Sequence, residues 1–271
     1  MKYTPRLSKN NYNVTPVSPL KELFILLGGL LTLVVLIYIV LGMSVEMLVT
    51  RISPETEQKI ASIILDKFDL LEEDDKENAY LQHLVDKMVA KRCFSLPYPI
   101  KVHLVESDTI NAMALPGGNI VVFSGLLEIM NSENELSFVL GHEVGHFQNR
   151  DHLRGMGRSL VFAFLSTVIR APGKSVSNLV ARTVRVTESA FSRDQESDAD
   201  AIGLQILNCT YGHVNGATDF FKHMPDTLDP GRIGHYFASH PENQKRINAL
   251  VALAQKKGYQ SKPLTSLGLP E

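Results

Sequence analysis

The sequence predicts an α+β fold, mostly helical with a small β-hairpin or sheet, entered through one membrane-crossing helix. Three observations predict it. An uncharged run of 23 residues, Leu23–Val45, stands near the N-terminus. Helical periodicity then dominates on both sides of one stretch of short alternating segments between Tyr98 and Phe123. The composition is that of a chain with a real core: 271 residues, 44% hydrophobic, with 2 Cys and no Gly-X-Y period, which excludes disulfide-scaffold and collagen-like classes. A formal net charge of −2 gives no electrostatic footprint for nucleic acid.

Residues 1–20, with Pro, Asn, Ser and Lys, read as a disordered tail. At about 1.5 Å rise per residue, a helix over 23–45 crosses a hydrocarbon core of about 30 Å. A cleaved signal peptide is the weaker reading, because the run exceeds a typical h-region and no Ala-x-Ala-like site follows. Lys2, Arg6, Lys9 and Lys21 precede the span, and only Arg51 and Lys59 follow closely. The positive-inside rule then leaves the tail in the cytoplasm. It puts the remaining domain on the outer side, which for a bacterial inner membrane is the periplasm.

Ser53-Pro54-Glu55 opens a helix with a cap and a first-turn Pro. Periodicity runs to Lys91 with a charged interruption at Glu72–Lys76, so two helices are expected. Tyr98–Glu106, Asn111–Leu115 and Asn119–Phe123 read as strands, the last two joined as a hairpin through Pro116-Gly117-Gly118. Ser132 and Glu135 form a capping-box pattern before a helix at 133–150. The apolar run Ser159–Ile169 is too short to span a bilayer. It reads most plainly as a core helix; dipping into the membrane surface or covering the site are the other readings. A loop at 173–177 and helices at 186–207, 214–223 and 241–257 follow, so the folded domain is placed at 52–258 and 259–271 is expected to be loose. Cys93 and Cys209 leave a disulfide open outside the cytoplasm, two separate buried thiols being the plainer reading. His152, His213, His223 and His235 read as surface or cap residues, and Tyr236 as a packing residue.

His142-Glu143-Val144-Gly145-His146 is H-E-x-x-H. On a helix, residues four apart share a face, so both imidazoles point at one ion. Two neutral imidazoles suit zinc. Glu143 sits one residue past the first His, within reach of a water at the ion without being a ligand, and is the candidate general base and later acid. A catalytic zinc needs a third protein ligand and an open position. The acidic stretch 188–203 is the place to look. Glu196 and Asp200 share one face there, Asp194 and Asp198 another. Spacing alone leaves the choice open.

Taken together, Gly141–His146, Asn111–Gly118, Ser192-Arg193 with Glu196–Gly203, and Ser239-His240-Pro241 with Arg246 resemble family 48 of the metallopeptidases, the group of HtpX-like and CAAX prenyl proteases. The resemblance covers about residues 55–255 and implies a zincin-like domain holding one Zn2+. It implies Glu196 as third ligand beside His142 and His146, and Asp200 as acceptor for a ligand's free ring N–H. It also implies His240 and Arg246 near the metal, either as oxyanion stabilisers or, for His240, as a group resting in the open position. Asn111, Ala112, Met113 and Ala114 would belong to a strand that pairs with extended substrate. With one span and no tetratricopeptide array expected, the chain is most similar to single-anchor quality-control members. The implied activity is endoproteolysis of misfolded or misassembled envelope proteins. The alternatives are a restrained chaperone-like or scaffolding protein with a closed zinc site, and a structural zinc protein.

Overall fold

The computed structural model describes residues 18–66, 68, 70, 75–158, 191–223, 240 and 244–270. The apolar run 159–169, the loop at 173–177, His235 and Tyr236, for which expectations were formed above, lie outside them. The chain divides into two compact units, one ending at Ser44 and one beginning at Val45. Helix α1 (Pro19–Val49) overruns the uncharged segment at both ends. It is long and apolar enough to cross a membrane, and its large apolar side chains are exposed along most of its length.

In the second unit, α2 (Pro54–Leu65) starts where Ser53 accepts the Thr56 N–H. Helix α3 (Lys76–Ala90) is capped by Asp75, which takes the N–H groups of Glu77 and Asn78. The strands are β1 (Lys101–Val105), β2 (Ala112–Leu115) and β3 (Asn119–Phe123), in the order β1-β3-β2. β2 and β3 are the expected antiparallel hairpin; β1 joins β3 in parallel. The hairpin turn needs glycine. Gly117 and Gly118 have φ of 74° and 83°, and a Cβ on Gly118 would fall 2.4 Å from the Pro99 carbonyl oxygen. The sheet alternates faces as its pleat requires. Ile120 and Val122 enter the main core, while Val121, with Leu115, faces Ile64 of α2.

A short helix α4 (Ser124–Leu127) follows, then α5 (Glu133–Gln148). Ser132 Oγ accepts the Glu135 N–H, but the Glu135 carboxylate accepts from Asn131, one residue before the cap. A complete capping box instead opens α6 (Arg193–Tyr211), where Ser192 and Gln195 exchange bonds. Helix α6 begins later than the expected 186, and 186–190 are outside the described residues. Residues 151–158 are also helical, and among the described residues helices α7 (Asp219–His223) and α8 (Gln244–Lys257) follow, α7 being preceded by turns rather than by helix from 214.

Three expectations are corrected. Residues 259–270 are not loose. They strap across the domain, with Thr265 donating to Asn134 Oδ1 and accepting the Glu133 N–H at the start of α5, and with Val214 donating to Gln260. Leu267 and Leu269 pack on the core. Cys93 and Cys209 are joined in a disulfide, with Cα atoms 5.6 Å apart, tying the turn after α3 to the end of α6. His152 is buried, not a surface residue, and its Nε2 faces Glu57 at 3.4 Å. His213 does act as a local cap, accepting the Asn215 N–H.

Candidate metal centre

Helix α5 is buried on every side from Asn134 to Phe147, polar residues included. It packs against α6 through small residues. Gly141 faces Gly203, and a Cβ on Gly145 would meet the Ala199 Cα at 2.8 Å. That close approach brings Glu196 and Asp200 of α6 to the H-E-x-x-H face. It also resolves the pair that spacing left open: Glu196 and Asp200 are buried, whereas Asp194 and Asp198 are exposed.

Four side chains converge: one ligand atom each from His142, His146, Glu196 and His240 lies within 4.8 Å of all the others. His142 Nε2 and His146 Nε2 are 3.1 Å apart. Glu196 reaches both, at 3.6 Å and 3.5 Å. His240 Nδ1 lies 3.0 Å from Glu196 Oε1 and 3.3 Å from His142 Nε2. Each H-E-x-x-H imidazole turns its other nitrogen to a carboxylate. His142 Nδ1 meets Asp200 at 3.0 Å, and His146 Nδ1 meets Asp151 at 3.1 Å. Asp151 escaped the sequence reading because it lies five residues past His146, off the helical repeat of α5 and beyond the turn at 149–150.

The charges fit a cation. Glu143, Glu196, Asp200 and Asp151 are all buried; among the described residues Arg246 pairs with Glu196 and Asp200, and Arg154 lies 3.5 Å from Asp151. Burial works against ionisation of Glu196, yet His240, His142 and the bond with His146 outweigh it and hold its carboxyl far below the usual range. Burial likewise opposes protonation of His146, but Asp151 and Glu196 overcome it and raise the imidazole to about 9. The pocket thus favours positive charge between the imidazoles. His142 and His240 are shifted down, chiefly by burial, and neutral imidazole is the form that ligates. The nitrogen and oxygen donors, their spacing and this electrostatic demand all fit zinc.

Glu143 differs from the other carboxylates. It is fully buried, and neither of its oxygens has a side-chain hydrogen-bond partner among the described residues. Burial pushes its carboxyl up, against the pull of His240 and His146. His240 Nε2 lies 3.6 Å from its Oε1. The backbone of β2 at Ala114 runs past it. β2 is an edge strand among the described residues, and Asn111, Ala112, Met113 and Ala114 lie on or beside it.

Arg246 lies beside the converging groups, as the resemblance implies. Its Nε and Nη2 grip Asp200 at 2.8 and 2.7 Å, and Nη1 holds Glu196 at 2.6 Å. The guanidinium thus aims these two carboxylates toward the imidazoles.

The profile of Peptidase family M48 matches residues 75–254. Among known proteins, the chain is 34% identical over 153 residues to mitochondrial metalloendopeptidase OMA1 of Arabidopsis thaliana, covering 56% of this chain and 31% of that one. It is 31% identical over 153 residues to metalloprotease YcaL of Escherichia coli, covering 55% and 59%. It is 28% identical over 196 residues to the Beta-barrel assembly-enhancing protease of Yersinia pestis, covering 68% and 39%. The matched region thus spans about a third to three-fifths of these relatives.

Proposed function

The chain belongs to peptidase family M48, and on that premise we propose that it is a membrane-anchored zinc endopeptidase acting on misfolded or misassembled envelope proteins. One observation carries the reading: His142, His146 and Glu196 converge while Glu143 stands beside them, fully buried and with no side-chain hydrogen-bond partner among the described residues. Zinc, when bound by those three, supplies Lewis acidity toward a scissile carbonyl and makes water a better acid. Glu143 takes the proton of the attacking water and hands it to the leaving amine. Asp200 accepts the Nδ1–H of His142 and so keeps Nε2 free to ligate. An extended substrate adds to the free edge of β2 through Asn111–Ala114, a backbone-directed mode suited to unfolded chains.

The envelope assignment draws on the name of the Yersinia pestis relative. The disulfide supports a domain outside a reducing cytoplasm, in accord with the Lys and Arg count around α1. Substitution of Glu143 by Gln tests the reading. Glu143→Gln is expected to retain zinc and lose roughly 10²–10⁴-fold of casein cleavage; retained cleavage rejects the mechanism. A second reading has its own observation, the place of His240 among the converging groups. A site closed by His240 would make the chain a restrained scaffold. The visible spectrum of the cobalt-substituted protein separates the two, four protein ligands giving a closed tetrahedral signature that is insensitive to pH and added anions.

A further inference from the structure

Asp151 is 2% exposed and opens the helical stretch 151–158, directly after the turn that follows α5. Arg150, at φ 56°, reverses the chain there, which swings Asp151 back under the His146 ring although it lies five residues on. Oδ2 of Asp151 sits 3.1 Å from His146 Nδ1. Its other oxygen accepts from Gln195 Nε2 at 2.6 Å, and Arg154 Nη1 is 3.5 Å away. Gln195 is the residue before Glu196 and belongs to the capping box that starts α6. The carboxylate therefore bridges the end of one ligand-bearing helix to the first turn of the other. Phe191 lies flat on the same imidazole, at 3.9 Å between centroids and 19° between planes. Asp151 fixes the ring within its plane; Phe191 fixes its face.

Resting on the zinc-hydrolase reading above, we propose that Asp151 is the positioning residue for His146. It holds the tautomer that leaves Nε2 a lone pair, strengthens that nitrogen as a ligand, and sets the spacing between His146 and Glu196 through Gln195. The paired imidazoles then each have a dedicated carboxylate, Asp200 for His142 and Asp151 for His146. A ligating His without such a partner binds metal roughly 10–100-fold more weakly.

The test uses the full chain in detergent, with zinc affinity read by chelator competition and cleavage of casein read alongside. Asp151→Ala is expected to weaken zinc binding by roughly 10–100-fold. At saturating zinc its kcat falls with KM unchanged, and the spectrum of the cobalt form shifts. Asp151→Asn keeps an oxygen for the ring N–H and is expected to recover part of the affinity. Zinc affinity within twofold of the parent in Asp151→Ala, with an unshifted cobalt spectrum, overturns the proposal. If Asp151→Ala does not fold, Asp151→Asn decides alone, unchanged affinity and kcat counting against positioning. A purely structural Asp151 would lower the melting temperature of the zinc-stripped chain and leave zinc affinity alone, which also overturns it. Glu143→Gln run in parallel separates the two claims. An active Glu143→Gln sinks the hydrolytic reading, while the zinc affinities of the Asp151 variants still judge positioning.

Discussion

Helices α1 and α5 invert the usual relation of polarity to burial, in opposite directions. Along α1, leucine, isoleucine and valine side chains stand exposed from one turn to the next. Along α5, Asn134, Glu135, Ser137, His142, Glu143 and His146 are buried with the leucines. Each inversion has a cost in water-soluble terms, and each names the partner that removes it. For α1 the surroundings must be apolar, as in a bilayer. For α5 the polar groups must find partners or hold an ion, and most of them do; both oxygens of Glu143 and the Asn134 amide nitrogen have no side-chain partner among the described residues. An apolar surface without cover marks where a protein sits; a buried carboxylate beside converging ligand groups marks what it does.

The comparison is broken most severely on the α1 side. Leu36→Arg places a charge near the middle of the span, at about 3 kcal/mol against insertion. The variant is expected to shift from membrane to soluble or aggregated fractions while the melting temperature of the folded domain stays the same, because Leu36 is exposed and takes no part in the core. Fractionation followed by thermal denaturation checks both halves.

A buried carboxylate on α2 supplies the next effect. Glu57 is fully buried between Arg150, His152 and the Gly117 N–H. Burial opposes its ionisation, but His152 and Arg150 prevail and bring the carboxyl down to about 2 from 4.5. A depressed carboxyl contributes stability above its unfolded value, and that contribution is lost as pH falls from about 4.5 toward about 2. Of order 2–3 kcal/mol is at stake. Melting temperature followed from about pH 6 to about pH 2 should drop across that window, and Glu57→Gln should flatten the drop while lowering the plateau. If the Glu57→Gln variant kept the parent's acid profile, other groups would govern it.

The mildest change acts on the α5 seam. Gly145→Ala presses a methyl onto the Ala199 backbone and forces α6 outward. Overpacking of this kind costs about 1–3 kcal/mol. Because α6 carries Glu196, zinc affinity should fall with stability, whereas an equally destabilising change remote from the seam should leave it intact. Chelator competition on both variants reads the difference.

How much of this the sequence disclosed depends on the range of the contact concerned. The hairpin, the Ser53 and Ser132 caps and the H-E-x-x-H face follow from neighbours a few residues apart, and they stand where periodicity and turn chemistry put them. Parallel pairing of β1 with β3 has no local signature, so only the hairpin was legible. The pairs Glu196/Asp200 and Asp194/Asp198 are alike in charge and spacing on two faces of one helix; they separate only when the Gly145–Ala199 approach selects the inward face. Arg246 is placed near the metal by the resemblance alone; its partners, Asp200 and Glu196, lie 46 and 50 residues away in sequence and only the fold presents them. The strap at 259–270 has no period at all, because its bonds run to Glu133, Asn134 and Val214 rather than along itself. Cys93 and Cys209 are joined across a sequence separation of 116, which no spacing rule reports.

The grip of Arg150 has a practical corollary. Its guanidinium holds the carbonyls of Val49 and Ile52 as well as the Glu57 carboxylate. Anyone trimming the chain for easier handling would naturally cut at Pro54, where the catalytic region looks to begin. That cut discards two of the three acceptors, along with Glu46, which pairs with Arg154 at 2.7 Å. The last turns of the apolar helix are thus also the first piece of the enzyme's scaffold, and the safe place for the scissors is upstream of Val45.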